Sequence, residues 1–188
     1  MTAGCGIVHQ EMPEGDCDML WGLQLWVNLP ASHKMMKPRY RDVKATDIPE
    51  YRADNGVKVK VIAGKFNGHL GPVKDIICDP EYLDVSVPAG KKFEHKVEKG
   101  HTVFAYVLEG KGSFDPDKKK VVSNENLVLF SDGEDVAIEA SEKPLRFLLI
   151  SGKPIKEPVA WYGPIVMNTE EELEQAFKEY QNGTFIKD

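Results

Sequence analysis

Cysteine is scarce in this 188-residue chain, and the three present, Cys5, Cys17 and Cys78, are odd in number and match no zinc-module spacing. They read as reduced thiols of an intracellular compartment, not as a disulfide framework. Basic runs are lacking as well. The formal net charge is -6, and the one short lysine run, Lys118 to Lys120, reads as a solvated turn. A protein that binds nucleic acid by neutralising phosphates needs a basic face, so direct binding to DNA or RNA is not expected. No apolar run approaches the ~20 residues of a membrane-spanning helix, and no charged segment followed by an apolar one opens the chain as a leader would. The expectation is a soluble, cytoplasmic protein with no membrane partner. Glycine-rich phosphate loops, a nucleophile elbow and a Cys-x-x-Cys pair are all missing. So are short internal repeats and low-complexity tracts.

What is present is β-pattern. Hydrophobic residues make up 41% of the chain, enough for one real core. From Val57 onward the period is two: Val57, Val59 and Val61 alternate with lysines, as in a half-buried strand. Further strands are predicted at Val73 to Ile77, Leu83 to Val87, Thr102 to Leu108, Leu127 to Phe130, Val136 to Glu139 and Leu145 to Ile150. Breaks such as Pro88-Ala89-Gly90 and Ser131-Asp132-Gly133 separate them, and many short strands at this spacing imply a sandwich or small barrel. Thr102 to Leu108 is apolar on both faces and so belongs in the middle of a sheet.

The two ends differ from this centre. Gly6 to Met12 and Leu20 to Leu29 read as strands around a turn at Pro13-Glu14-Gly15-Asp16. In the second, Leu23, Leu25 and Val27 share a face opposite Gln24, Trp26 and Asn28. Residues 31–56 are polar, interrupted by Pro38 and Pro49, and read as a connecting segment. At the C-terminus the period changes to that of a helix. Thr169 and Glu172 form a capping box, Leu173, Ala176, Phe177 and Tyr180 make an apolar stripe, and Asn182-Gly183 ends it.

The candidate chemistry lies in His9-Gln10-Glu11. On a strand, positions two apart face the same way, so an imidazole and a carboxylate would stand side by side as two ligands for a divalent metal. Two donors seldom hold a metal well, and no other residues obviously complete the set. His33 and His69 read as surface or loop histidines, and His95 and His101 are six apart, a spacing that suits neither helix nor strand pairing. Trp21 and Trp26 read as core or interface residues before a ligand platform.

The wording of three separated segments carries further. Residues 1–13, Met-Thr-Ala-Gly-Cys-Gly-Ile-Val-His-Gln-Glu-Met-Pro, resemble a signature of the pirin family. Gly22 to Pro30 resembles the next family block, as do Glu157-Pro158-Val159 and Gly163 to Thr169 near the end. The resemblance implies two stacked cupin β-barrels, RmlC-like jelly rolls built as double-stranded β-helices. It also implies a mononuclear iron, Fe(2+), held in the N-terminal barrel by three histidines and a glutamate. The last two ligands match His9 and Glu11; the earlier His-x-His pair has no counterpart in this sequence. The implied organisation is a remnant of the metal-binding barrel over residues 1–30, a linker over 31–56, the C-terminal cupin over 57–165, and a helix and tail over 166–188. The family's C-terminal cupin generally lacks metal. Here His95 matches the first histidine of a cupin metal motif, but Val97 stands at the second, so Gly90 to Gly110 is a structural remnant.

Two kinds of activity follow from the resemblance. Some pirins are similar to quercetin 2,3-dioxygenases, in which the metal binds a deprotonated flavonol while oxygen adds across the ring. There the glutamate serves as ligand and as proton acceptor, the catalytic role that would fall to Glu11. Others are non-catalytic cofactors of transcription factors, which adds the nucleus as a compartment in a eukaryote. The chain is therefore either part of a dioxygenase that binds iron weakly by itself, or an interaction protein working through its cupin surface, or an inactive fragment. A longer native chain carrying the missing histidines would explain the abrupt start. Residues 1–30, short of barrel partners, are expected to pack elsewhere, self-associate or fray.

Overall fold

A computed structural model describes residues 1–12, 21–117 and 120–187. The turn expected at Pro13 to Asp16, Cys17, Leu20 and the first two lysines of the basic run lie outside the described residues. Among those described, no helix is long and apolar enough to cross a membrane. The chain divides into two compact units: Val43–Pro154, and Met1–Asp42 together with Ile155–Asp188.

The Val43–Pro154 unit is a pair of antiparallel sheets. Its strands are β1 (Glu50–Arg52), β2 (Lys58–Ala63), β3 (Lys65–Phe66), β4 (His69–Leu70), β5 (Glu81–Val87) and β6 (Lys92–Lys96). They continue with β7 (Thr102–Glu109), β8 (Lys111–Ser113), β9 (Val121–Ser123), β10 (Leu127–Leu129), β11 (Asp135–Ala140) and β12 (Leu145–Gly152). One sheet runs β1-β2-β5-β12-β7-β10 and the other β6-β11-β8-β9, while β3 and β4 form a small hairpin. Strand β7 has partners on both sides, β12 and β10, as its two apolar faces predict.

Alternation in the sequence becomes alternation in burial. On β5, Leu83, Val85 and Val87 are buried, and on β7 so are Val103, Ala105 and Val107. β12 carries the centre of the core. Phe147 lies opposite Val85 on one side and Val107 on the other, and Leu149 opposite Leu83 and Ala105. The Phe147 ring meets Phe93 of the second sheet edge-on at 5.7 Å, and Phe114 likewise at 5.7 Å. On the outward face, Arg146 grips Asp84 across β12 and β5 with two hydrogen bonds of 3.0 and 2.8 Å. The bond to Asp84 raises the Arg146 guanidinium above its ordinary pKa.

In the other unit are α1 (Ala31–Lys34), the hairpin β13 (Ala160–Tyr162) and β14 (Ile165–Met167), and α2 (Glu170–Gln181). The α2 capping box forms as predicted: the Glu172 amide donates to Thr169 Oγ1 at 3.2 Å, and the Thr169 amide to Glu172 Oε2 at 3.1 Å. The apolar stripe of α2 supplies Leu173, which is buried.

The structure departs from the sequence pattern at the N-terminus. Residues 6–12 and 21–29 form no strand, and only Thr2 makes an isolated bridge, to Arg39. A strand exists only when a neighbour accepts and donates its backbone hydrogen bonds. No described segment forms a backbone ladder with these two, so they remain outside any sheet. Val73 to Ile77 likewise makes only a single bridge, from Val73 to Ala63.

Two stability measurements follow. Phe147→Ala removes a fully buried ring wedged between both sheets and should cost about 3–5 kcal/mol, read as a lower urea midpoint of the Val43–Pro154 unit. Thr169→Ala removes the α2 cap and should cost about 1 kcal/mol, with a loss of helical circular dichroism.

Candidate functional site

The segment bearing His9 and Glu11 is pinned at its start. The Thr2 amide donates to Arg39 O at 2.7 Å and the Arg39 amide returns a bond to Thr2 O at 2.9 Å, while the Cys5 amide donates to Met36 O at 2.9 Å. Glycine is required here. Gly4 has φ +53°, and a Cβ on it would sit 2.0 Å from Met36 O; Gly6 has φ +134°, and its Cβ would press on the Phe185 backbone and ring. The Gly-Cys-Gly wording thus has a packing cause: the backbone passes close to residues 36–39 and 185.

Beyond Gly6 the chain emerges. His9 and Glu11 are both exposed. The His9 ring has Tyr40 as its aromatic neighbour at 6.2 Å, and Glu11 accepts a long hydrogen bond of 3.5 Å from Gln24. Neither side chain projects into an enclosed cage. Among the described residues no group of three or more His, Cys, Asp or Glu is arranged to hold a metal ion. The two donors have the right chemistry for a borderline or hard divalent cation but are too few to retain one. Taken alone, the described residues do not fit a resident iron.

The blocks at 22–30 and 157–169 perform a structural task that sequence reasoning missed. Glu157 Oε2 accepts from the Ala31 amide at 2.7 Å and from Asn168 Nδ2 at 3.0 Å, and Asn168 Nδ2 also reaches Pro158 O at 3.0 Å. Lys34, only 6% exposed, donates to Asn28 Oδ1 at 2.6 Å and to Leu29 O at 2.9 Å. The Glu157 carboxylate ties segments more than a hundred residues apart, while the buried Lys34 ammonium closes the local turn over residues 28–34. The signal was the polar residues inside otherwise apolar blocks.

His95, six residues from His101, finds a partner elsewhere. It sits on β6, half-buried, with Nε2 bonded to Glu81 Oε1 at 2.6 Å and its ring 5.0 Å from Phe66. Glu94, its sequence neighbour, pairs instead with Lys92. The residue at the motif's first histidine position is thus held by a carboxylate from β5, fourteen positions back. His69 is exposed and lies edge-on to Tyr51 at 5.8 Å. Glu50, Lys58, Lys60, Asp84, Ser86 and Arg146 line a shallow groove of about 240 Å³ on the outer face of the large sheet. Arg146 is already occupied there by Asp84. Burial, and next to it the charge of Asp84, push the nearby Tyr82 hydroxyl above its ordinary pKa.

Comparison with known proteins interprets this arrangement. Residues 82–186 match the family model described as Pirin C-terminal cupin domain. The chain is 42% identical to Pirin-1 of Arabidopsis thaliana, over 97% of this chain and 63% of that protein. It is 44% identical to a pirin-like protein of Caulobacter vibrioides, over 98% of this chain and 66% of that protein. It therefore spans about two thirds of the length of these curated relatives. Among solved structures it is similar to quercetin 2,3-dioxygenase from Acinetobacter baumannii, with TM-score 0.78, 31% identity, and coverage of 85% of this chain and 55% of that one. With a family model matched over more than half its length, two facing antiparallel sheets and this likeness to a solved relative, the chain is a cupin protein that belongs to the pirin family.

Proposed function

We propose that this chain is the part of a pirin-type, quercetin 2,3-dioxygenase-like protein that supplies two ligands, His9 and Glu11, to an iron(II) centre completed by donors outside the described residues. The observation that carries the reading is the 31% identity to the solved quercetin 2,3-dioxygenase over 85% of this chain; the exposure of His9 and Glu11 leaves the site incomplete within the described residues. An imidazole and a carboxylate stand two residues apart on a segment whose root is fixed by Gly4 and Gly6. In this reading the domain plan expected from the sequence holds: residues 1–30 belong to the metal-binding barrel and the centre of the chain is the metal-free cupin. With the missing donors supplied, Glu11 would serve as a ligand and could accept a proton from a planar flavonol partner. The likeness to the Acinetobacter baumannii quercetin 2,3-dioxygenase supports the substrate class.

A second reading, an interaction protein that needs no catalysis, draws on a different observation. Trp26, Trp161 and Tyr162 are all exposed in the unit formed by the two chain ends.

The iron reading is tested by adding donors. The 188-residue chain should bind ferrous iron weakly in anaerobic titration. Extension at its N-terminus with a strand bearing His-x-His should raise both affinity and aerobic quercetin consumption. His9→Ala in the extended protein should lower turnover at least about 100-fold, beyond the loss typical of residues that merely support a ligand. Equal iron affinity and equal turnover with and without His9 would remove the claim.

A further inference from the structure

The end of the chain carries a groove that the iron reading does not use. It lies between the β13–β14 hairpin and α2, holds about 480 Å³, and has Trp161, Tyr162, Leu173 and Phe177 for its apolar walls, with Glu170, Glu174, Lys178 and Gln181 as its polar lining. Its aromatic residues are placed by the fold. Tyr162 stands at the end of β13 and meets Phe177 of α2 edge-on at 5.6 Å. The Trp161 indole N–H donates to Gly163 O at 2.8 Å, so its one polar atom is satisfied within the hairpin and the ring offers apolar surface. Trp161 is 68% and Tyr162 71% exposed. Trp26, its ring 6.3 Å from that of Trp161 and itself more than half exposed, extends the same surface. Large aromatics are the residues most often found at the energetic centre of protein interfaces.

Charge narrows the choice of occupant. Helix α2 reads EEELEQAFKEYQ, five glutamates against the single Lys178. Lys178 lies 3.8 Å from Glu174 and leaves the N-terminal half of the helix acidic. A second copy docked two-fold through this groove would turn the glutamates of one α2 toward those of the other, and like charges across an interface oppose association. A cationic partner is drawn in by the same field. The volume lies within the range of pockets that receive one compact group and is too small for a folded face.

We infer that this groove docks a short amphipathic segment of another protein, with one or two bulky apolar side chains inserted between Trp161 and Phe177 and flanking Lys or Arg side chains beside Glu170 and Glu174. The inference deepens the interaction reading above and is independent of the iron centre.

The test is selection of random peptides displayed on phage against the immobilised full chain, followed by fluorescence anisotropy of the selected peptides without iron or flavonol. Enriched sequences should combine Trp, Phe or Leu with Lys or Arg. Trp161→Ala should weaken them at least ~10-fold. The thermal midpoint should not move, because that ring is exposed. Glu170→Lys with Glu174→Lys should weaken them several-fold and flatten the salt dependence. Tyr162→Ala provides a second aromatic probe. Absence of enrichment, enrichment of acidic or charge-indifferent peptides, or undiminished binding to both Trp161→Ala and Tyr162→Ala would overturn the inference. So would a concentration-dependent dimer in sedimentation that Trp161→Ala abolishes, which would assign the groove to a second copy. Since peptide binding is read without metal, its failure and the failure of the iron reading are separate results.

Discussion

Phe147 is the point at which the two sheets of the central unit meet. Its ring stands between Val85 and Val107 in its own sheet and meets edge-on Phe93 of the other sheet and Phe114, just past the end of β8. A sandwich whose interior is filled to close packing by such rings has little room for a metal or substrate. His95 with Glu81 is a satisfied, partly buried pair next to Phe66. The described interior of the central unit is thus occupied by packed rings and by the His95–Glu81 pair.

The unit formed by the two chain ends is held by polar contacts as much as by burial. Glu157 reaches both Ala31 and Asn168, and Lys34 closes on Asn28 and Leu29. Such groups cost free energy to bury and return it only when each finds its partner, so they specify which segments meet more than they add stability. Glu157 and Asn168 fix the base of the aromatic hairpin, while the backbone bonds of Thr2 and Cys5 to Arg39 and Met36 fix the root of the His9–Glu11 segment.

Much of this was legible from residue pattern. The alternation of β2, β5, β7, β11 and β12 and the cap of α2 are local properties, and each appears where the spacing put it. Of the short strands, β10 was legible at Leu127 to Phe130, but β1 and β6 were not. Glu50–Arg52 is a strand because β2 lies beside it, and Lys92–Lys96 because β11 does. Neither has enough apolar residues to announce itself. The opposite failure occurred at Gly6 to Met12 and at residues 21–29, where a sound alternation found no neighbour among the described residues.

The sequence by itself determined the family, through three worded blocks, and the mainly-β character of the centre, through period two. It also supplied the identity of the two metal donors that remain a proposal. Only the tertiary structure decided that His95 belongs to Glu81, that Glu157 and Asn168 are fasteners, and that Trp161 and Tyr162 stand exposed beside an acidic helix. The reason is range. A period or a cap is written within a few residues, whereas a pair joined across fourteen or a hundred and twenty-six positions exists only once folding has brought its members within hydrogen-bond reach.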